Sequence, residues 1–355
     1  MKSITILAFA SPLLFLACSG SSSNPSNSSD NGGDAGTVVD SGVGNGGDGG
    51  SSTDASTALA EMASTRSLFG SVLSPDGKVR VFDGLSDIGV QASCEAYDDK
   101  TNTWSSGSSP SVVRYGHAVA QTASGDVFVI GGTPDGSHPI ASVEEYDPAS
   151  DAWSNVTALP TARLGLGAAA SNDGKIYAIG GRGADGQVST LVEIYSPDTH
   201  AWTSGPAMPT PRMSLMAVTG ADGRIYAIAG RDQSSTPLTV VESLDTTAGT
   251  WRTEPSLSHA RYWFGAALGS DGKIYAAGGI DSEGFTDSIE ALSNGAWSEL
   301  PAMPDARGWI ATAATNDGRI LVIGGSSEDD AIAGSEPPPL ASMMAFDITS
   351  QKWSE

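Results

Sequence analysis

The sequence contains few basic residues and few of the residues that bind metals or form disulfides. Its 355 residues include 18 lysines and arginines but 41 aspartates and glutamates, and the formal net charge is −23. A surface of that average sign repels polyanions, which argues against nucleic acid and anionic membrane surfaces as partners. The four histidines are scattered along the chain and show no metal-binding cluster, so neither a metal nor another cofactor is predicted.

The chain also lacks an N-terminal apolar run long enough to span a membrane. The run from Ile4 to Ala17 is interrupted by Ser11 and Pro12, whereas a spanning helix needs about 18 uninterrupted apolar residues. Lys2 before the run and the polar stretch after it are typical of an export signal. We therefore predict a signal peptide over residues 1–17.

A cysteine follows this run directly. The string FLAC at residues 15–18 resembles the lipobox of bacterial lipoproteins, which implies cleavage before Cys18 and attachment of diacylglycerol to its thiol. Phe15 stands where leucine is usual, and an ordinary secretory signal is the alternative. Ser19, in place of the aspartate that often retains such proteins at the inner membrane, favours the outer membrane of the cell envelope. With Cys18 acylated, Cys94 is left alone and no intramolecular disulfide is expected.

The next segment cannot form a core. Residues 19–56 are almost wholly Ser, Gly, Asn, Asp and Thr, a composition typical of a flexible linker. We expect residues 18–56 to be the lipidated cysteine and its tether, and residues 57–355 to form the folded part, which is long enough to bury a core.

The folded part repeats with a period of about 49 residues. Each unit contains an arginine, an Asp-Gly or Gly-Asp turn followed by a short apolar strand that ends in glycine, and an outer tryptophan. Such a period with several short strands per unit is typical of propeller blades. The tryptophans are Trp104, Trp153, Trp202, Trp251, Trp297 and Trp353, and the arginines are Arg66, Arg114, Arg163, Arg212, Arg261 and Arg307.

Each unit resembles a kelch repeat. The third strands read CEAYDD, VEEYDP, VEIYSP, VESLDT, IEALSN and MMAFDI. The resemblance implies an all-β fold, a six-bladed β-propeller with four antiparallel strands, a to d, in each blade. Glycine and alanine suit the crowded inner strands, and outer Trp and Tyr are expected to fill the wedges between blades. The ring is expected to close by packing and a few hydrogen bonds from residues 57–61, without strand exchange.

The repeated charges are expected to be structural. The six arginines keep step with Glu95, Glu144, Glu193, Glu242 and Glu290. Because the pattern recurs in nearly every blade, we predict repeated ion pairs or hydrogen bonds rather than a binding site.

Sequence variation is concentrated in the b–c and d–a connections, which share one face of a propeller and suit ligand binding on a rigid scaffold. Arg182 and Arg231 follow the diglycine position of blades 3 and 4. In the kelch domains of ubiquitin-ligase adaptors, an arginine at the matching position reads acidic peptides, and this resemblance covers those two positions only.

Two additional tryptophans, Trp263 and Trp309, lie two residues after the repeat arginines of blades 5 and 6, with Tyr262 beside the first. We expect them at the mouth of the central channel, where aromatic faces and arginines suit a carbohydrate, particularly an acidic one. The alternative is that the tryptophans plug the channel as core. The long sixth b–c connection is either a lid or a solvated excursion.

A binding module is therefore the favoured function, with a carbohydrate, an acidic ligand or an envelope protein as partner. The enzyme alternative is a sugar-converting enzyme of the sialic-acid mutarotase type, since such envelope enzymes resemble six-bladed kelch propellers. A galactose-oxidase-like oxidase is less favoured, because its copper site needs a cysteine-crosslinked tyrosine and clustered histidines, and Cys94 is expected to be a small core residue. No catalytic residue is predicted, since fold alone does not give function.

Overall fold

The computed structural model describes residues 58–327 and 337–355. The predicted signal peptide, Cys18 and the tether lie outside these ranges, as do residues 328–336 of the sixth b–c connection. Residues 57–355 form one compact unit. Within the described ranges all regular secondary structure is β-strand, and no helix is long and apolar enough to cross a membrane.

Blades 1 and 2 are built from the first ten strands. Blade 1 contains β1 (Gly70–Leu73), β2 (Val79–Phe82), the short pair β3 (Leu85–Ser86) and β4 (Gly89–Val90), β5 (Cys94–Asp98) and β6 (Thr103–Gly107). Blade 2 contains β7 (Ala118–Gln121), β8 (Val127–Ile130), β9 (Val143–Asp147) and β10 (Ala152–Asn155).

Blades 3 and 4 follow the same plan. Blade 3 contains β11 (Arg163–Leu164), β12 (Gly167–Ala170), β13 (Ile176–Ile179), β14 (Arg182–Gly183), β15 (Val192–Ser196) and β16 (Ala201–Ser204). Blade 4 contains β17 (Met216–Thr219), β18 (Ile225–Ile228), β19 (Val241–Asp245) and β20 (Thr250–Glu254).

Blades 5 and 6 complete the ring. Blade 5 contains β21 (Gly265–Leu268), β22 (Ile274–Ala277), β23 (Ile289–Ser293) and β24 (Ala296–Glu299). Blade 6 contains β25 (Arg307–Gly308), β26 (Ala311–Ala314), β27 (Arg319–Ile323), β28 (Ser326–Ser327), β29 (Met343–Asp347) and β30 (Lys352–Ser354).

Every blade contains a four-stranded antiparallel sheet whose strands come from one repeat, so the predicted six-bladed propeller is confirmed. The short pairs β3–β4, β11–β14 and β25–β28 are separate two-stranded sheets. The inner strands β1, β7, β12, β17, β21 and β26 contact one another in sequence around the axis, and β26 contacts β1. These strands carry Gly, Ala, Ser and Thr at many positions, because larger side chains would collide where six strands approach one axis.

The apolar cores lie between neighbouring blades, at contacts that we call seams. Between blades 2 and 3, for example, Tyr195 is only 1% exposed, and Trp202 stacks on it with ring centroids 5.2 Å apart. Trp202 itself remains half-buried and donates its indole N–H to the carbonyl of Thr157, 2.8 Å away. The tyrosines thus fill the wedges, as expected, whereas the tryptophans cover their outer edges.

The repeated charges form buried ion pairs in five blades, which confirms their structural role. The pairs are Arg66–Glu95 at 2.7 Å, Arg114–Glu144 at 2.5 Å, Arg163–Glu193 at 2.8 Å, Arg212–Glu242 at 2.6 Å and Arg261–Glu290 at 2.8 Å. Burial lowers the pKa of Arg114, Arg163, Arg212 and Arg261, because each guanidinium is removed from water. In blade 6, Met344 stands at the glutamate position, and Arg307 pairs with Asp305 at 2.8 Å instead.

The ring closes without strand exchange, as expected, but the closing hydrogen bonds come from residues slightly later in the chain than 57–61. Met62 donates its backbone N–H to Ala341 O at 3.0 Å, and Arg66 donates to Leu340 O at 2.9 Å. Gly325 N–H in turn donates to Arg66 O at 2.8 Å. The first repeat is thereby joined to the sixth blade.

Candidate functional site

The mouth of the central channel on the b–c/d–a face is bounded by one residue from each blade. These six residues, which we call the mouth ring, share left-handed backbone conformations with φ between 49° and 63°. Each donates its N–H to the carbonyl of its counterpart in the preceding blade over 2.6–3.1 Å, so the hydrogen bonds form a closed circle. The mouth ring consists of Leu68, Gly116, Gly165, Ser214, Trp263 and Trp309.

Two bulky residues of the mouth ring adopt a conformation that favours glycine. Trp263 has φ of 49° and Trp309 has φ of 58°, a region that costs a residue with a Cβ roughly 1–2 kcal/mol. The blade 2 and blade 3 positions are glycines, which adopt it freely. Leu68 and Ser214 share this conformation with φ of 55°, so the backbone penalty belongs to the mouth ring as a whole and not to the tryptophans alone.

Trp263 extends across the mouth toward blades 2 and 3. Its Cη2 atom lies 3.2 Å from a Cβ built on Gly116 and 3.3 Å from one built on Gly165. Glycine at both positions therefore leaves room for the indole. Trp263 remains half-buried, so it covers part of the channel and also presents surface to solvent. The channel beneath it has a cavity volume of about 390 Å³.

Trp309 packs differently. Its ring meets Phe285 edge-on, with centroids 5.2 Å apart and planes at 83°. Phe285 belongs to the b–c connection of blade 5 and also packs on Gly308, where a built Cβ would lie 2.6 Å from the Phe285 ring. Trp309 is thus held beside the blade 5 loop, and like Trp263 it lines the channel.

Arg231 stacks on Tyr262, its neighbour in blade 5. The guanidinium carbon lies 5.0 Å from the ring centroid, a distance typical of a cation–π contact. Burial lowers the pKa of Arg231, and the nearby charge of Arg182 lowers it further. Burial also raises the pKa of Tyr262, although Arg231 opposes that shift. The tyrosine is therefore neutral at physiological pH, and the arginine remains charged because its ordinary pKa is so high.

Arg182 bridges to blade 2. Its Nη2 donates to the carbonyl of Gly136 at 2.9 Å, while its buried Nε has no hydrogen-bond partner. The Nε of Arg231 is likewise buried and without a partner. In the described ranges no carboxylate lies within ion-pair distance of either arginine, in contrast to the repeat arginines of the same blades.

Two family profiles match the chain. The profile of the KLHDC2/KLHL20/DRC7 Kelch-repeats domain matches residues 168–355, and that of the Kelch motif matches residues 114–160. The chain belongs to the kelch-repeat family. A solved structure titled "Structure of YjhT" superposes on this kelch propeller with a TM-score of 0.70 at 17% identity, over 83% of this chain and 99% of that one. At that identity the likeness shows the fold alone. No curated protein matches.

In this kelch propeller the five predicted site residues lie on the same loop face. The structure places Tyr262 against Arg231 and Arg182 near Arg231, while Trp263 and Trp309 diverge around the mouth. It also adds Phe285, which sequence reasoning missed because it lies in a loop with no repeat signal. Gln233 was missed for the same reason; its side chain joins two loops by bonding Val188 N–H at 2.8 Å and Gly186 O at 3.2 Å.

Neither the histidines nor Cys94 forms a metal centre at this site in the part of the chain that the structure describes. Among the residues that the structure describes, no group of three or more His, Cys, Asp or Glu side chains is arranged to hold a metal. Cys94 is buried at 2% exposure between blades 1 and 2, as expected of a core residue, and burial raises the pKa of its thiol to about 12. His138 pairs with Asp135 and His259 with Glu299, both at exposed positions.

Proposed function

We propose that this kelch propeller is a binding module for an anionic carbohydrate at the mouth of the channel. The observation that carries the proposal is the arginine pair: Arg182 and Arg231 lie close together without an ion-paired carboxylate, in a chain with a net charge of −23. Two neighbouring guanidiniums repel each other, and a carboxylate or sulfate between them would relieve that repulsion through charge-assisted hydrogen bonds.

The aromatic surroundings favour a sugar over a bare anion. The Tyr262 ring packs against Arg231, and the half-buried Trp263 reaches from blade 5 toward the mouth-ring glycines of blades 2 and 3. Apolar faces of pyranose rings stack on such indoles, while the arginines bind the acidic substituent. An acidic peptide is the second ligand that the arginines suit, and the same experiment separates it from a glycan.

The cellular location is part of the proposal and is supported by the sequence pattern at the N-terminus. Export by residues 1–17 and acylation of Cys18 would place the propeller in the cell envelope, most simply at the outer membrane, on a linker of residues 19–56. Glycans that carry uronic or other acidic sugars are accessible there.

A glycan array with acidic and neutral glycans, printed beside acidic peptides, tests the function. The wild type is expected to bind glycans that carry a carboxylate or sulfate, and an Arg182→Ala/Arg231→Ala variant is expected to lose at least about tenfold in affinity. Arg252→Ala is the matched control, because Arg252 is an exposed arginine on β20 that pairs with Glu254 at 2.5 Å.

Three results would contradict the proposal. Binding that is equal for neutral glycans, binding that survives in the double-arginine variant, or binding confined to acidic peptides would each rule out an acidic-sugar site. The enzyme alternative is tested in parallel by NMR: accelerated exchange between the anomers of N-acetylneuraminate, lost in the double variant, would identify a sugar-converting enzyme instead.

A further inference from the structure

The seam between blades 1 and 2 differs from the other five. Its core contains five buried apolar residues in the described ranges, whereas each other seam contains ten or eleven. The five are Phe82, Cys94, Val127, Val129 and Tyr146. With fewer apolar side chains removed from water, this seam gains less from apolar burial than its neighbours.

Two polar residues interrupt the repeat at this seam. Asp83 stands where blades 2, 3, 5 and 6 have the first glycine of their diglycine, and His117 stands where the other blades have Phe, Leu or Ile. In other seams these two positions touch. A Cβ built on Gly131 lies 3.2 Å from Leu166, and one built on Gly324 lies 3.0 Å from Phe69. Both sides of one apolar contact have thus been replaced by ionisable groups.

Each of the two side chains reaches across the seam. Asp83 Oδ2 of blade 1 lies 3.6 Å from Arg114 Nε of blade 2. His117 Nε2 of blade 2 lies 3.2 Å from a Cβ built on Gly70 of blade 1. Asp83 is fully buried and His117 is 7% exposed. Neither carboxylate oxygen of Asp83 and neither ring nitrogen of His117 has a hydrogen-bond partner in the described part of the chain.

The surrounding charges do not compensate Asp83. Arg114 already pairs with Glu144, and Arg66 pairs with Glu95 while donating to the backbone carbonyl of Asp83 at 2.7 Å. An ionised Asp83 would therefore be the third carboxylate beside two guanidiniums.

The two ionisable groups are both held neutral by burial. Burial raises the pKa of Asp83 to about 8. The charge of Arg114 opposes this shift, and the repulsion of Glu144 adds to it. Burial and the charge of Arg114 lower the pKa of His117 to about 3.

We propose that the blade 1–2 seam is a pH-controlled opening in the propeller: loss of the Asp83 proton separates blades 1 and 2 locally while the other seams stay closed. The ionised carboxylate is stabilised by water, which it reaches only when the seam opens. The seam is crossed by the mouth-ring hydrogen bond from Gly116 N–H to Leu68 O, 2.8 Å, so opening breaks the mouth ring at this point.

Cys94 provides a direct reporter, because it is buried in this seam and is one of only two cysteines. In the full chain with Cys18→Ser, the rate of Cys94 alkylation by iodoacetamide is divided by the rate for the same chain unfolded in urea at the same pH. Dividing the two rates cancels the effect of pH on the ionisation of the thiol, which is common to both. We expect the ratio to rise by about tenfold per pH unit between about 6.5 and 8 and then level off, because opening releases one proton from Asp83. Below pH 6.5 the proton taken up by His117 on opening offsets that release.

The control reporter is a cysteine at the equivalent position of the next seam. Val143 occupies in blade 2 the place of Cys94 in blade 1, and it is buried between blades 2 and 3. Cys94→Val with Val143→Cys should give a much lower ratio than Cys94 at every pH, because the thiol at position 143 is exposed only when the propeller unfolds more widely, and Asp83→Asn should flatten the rise at Cys94. Asp83→Gly restores the repeat residue and should do the same if the asparagine variant folds poorly. A pH rise that persists in Asp83→Gly, or a ratio at Val143→Cys as high as that at Cys94, would overturn the proposal.

Discussion

The backbone N–H of Leu68 donates a 2.8 Å hydrogen bond to the carbonyl oxygen of Trp309. These residues are far apart in sequence, and their contact completes the mouth ring between blades 6 and 1. A second closed set of backbone hydrogen bonds also runs around the propeller. In each blade the last glycine after the second strand donates its N–H to the carbonyl of the repeat arginine of the following blade, at 2.7–3.0 Å. The propeller is therefore closed by backbone hydrogen bonds at every seam, although its strands are never exchanged.

The left-handed position of Trp263 can be measured by comparing two truncations. Trp263→Ala and Trp263→Gly both remove the indole, but only glycine adopts φ of 49° without a penalty. We expect the glycine variant to exceed the alanine variant in free energy of unfolding by about 1 kcal/mol, measured by urea denaturation. Equal stabilities would mean that position 263 is not left-handed in solution. Ligand affinity should fall equally in both variants.

The buried ion pairs predict a large loss on neutralising one partner. Glu193→Gln leaves Arg163 charged and fully buried without its carboxylate, and such changes cost about 3–5 kcal/mol. Chemical denaturation of the variant would measure this loss. Lys175→Ala removes an exposed pair with Asp173 and should leave the denaturation midpoint unchanged. A comparably small effect of Glu193→Gln would show that the blade does not depend on the pair.

Stability should depend on pH through Asp83 with a defined sign. In the folded protein the pKa of Asp83 is raised from 3.8 to about 8, so between these values the unfolded chain has released a proton that the folded protein retains. Rising pH therefore favours unfolding over this range, by at most about 1.4 kcal/mol per unit. Asp83→Gly should gain stability relative to the wild type as pH rises from 5 to 8, with no further gain above 8. Urea denaturation of both proteins at several pH values measures this difference in free energy of unfolding. A difference that does not change with pH would contradict the raised pKa of Asp83.

The contribution of His117 to stability has the opposite dependence on pH. Its pKa in the folded protein is lowered from 6.5 to about 3, so between these values the unfolded chain binds a proton that the folded protein does not. Stability from this group is full above pH 6.5 and is lost as pH falls toward 3. His117→Leu, the residue of blades 3 and 4 at this position, should therefore gain stability over the wild type progressively below pH 6.5. Thermal melting of both proteins at pH 4 and pH 7 would show this gain in stability. An equal gain at both pH values would argue against a neutral buried histidine.

Lipidation is tested by one substitution. Cells that express the full chain and receive a palmitate analogue should label the wild type, whereas Cys18→Ala should remain unlabelled and leave the membrane fraction. Cys94→Ala is the matched control and should label normally, since Cys94 is buried in the propeller core. Labelling that persists in Cys18→Ala would contradict the predicted lipidation of Cys18.

The number of blades, the four main strands of each blade and the pairing of the repeat arginines with their glutamates could be predicted from the sequence. Each of these features depends on a pattern that recurs every 49 residues or so, and a recurring pattern can be read without knowing how blades pack. The same reading identified Arg182, Arg231, Tyr262, Trp263 and Trp309 as departures from the repeat.

The contacts of these departures could not be predicted from the sequence, because their neighbours come from other blades. Trp263 contacts glycines of blades 2 and 3, and Trp309 contacts a loop phenylalanine, although the two tryptophans are equivalent in sequence. Asp83 and His117 each look like a single exception to the repeat, and their shared seam appears only when blades 1 and 2 are packed together. The direction of a side chain across a seam is set by the space that the next blade leaves, which no local pattern specifies.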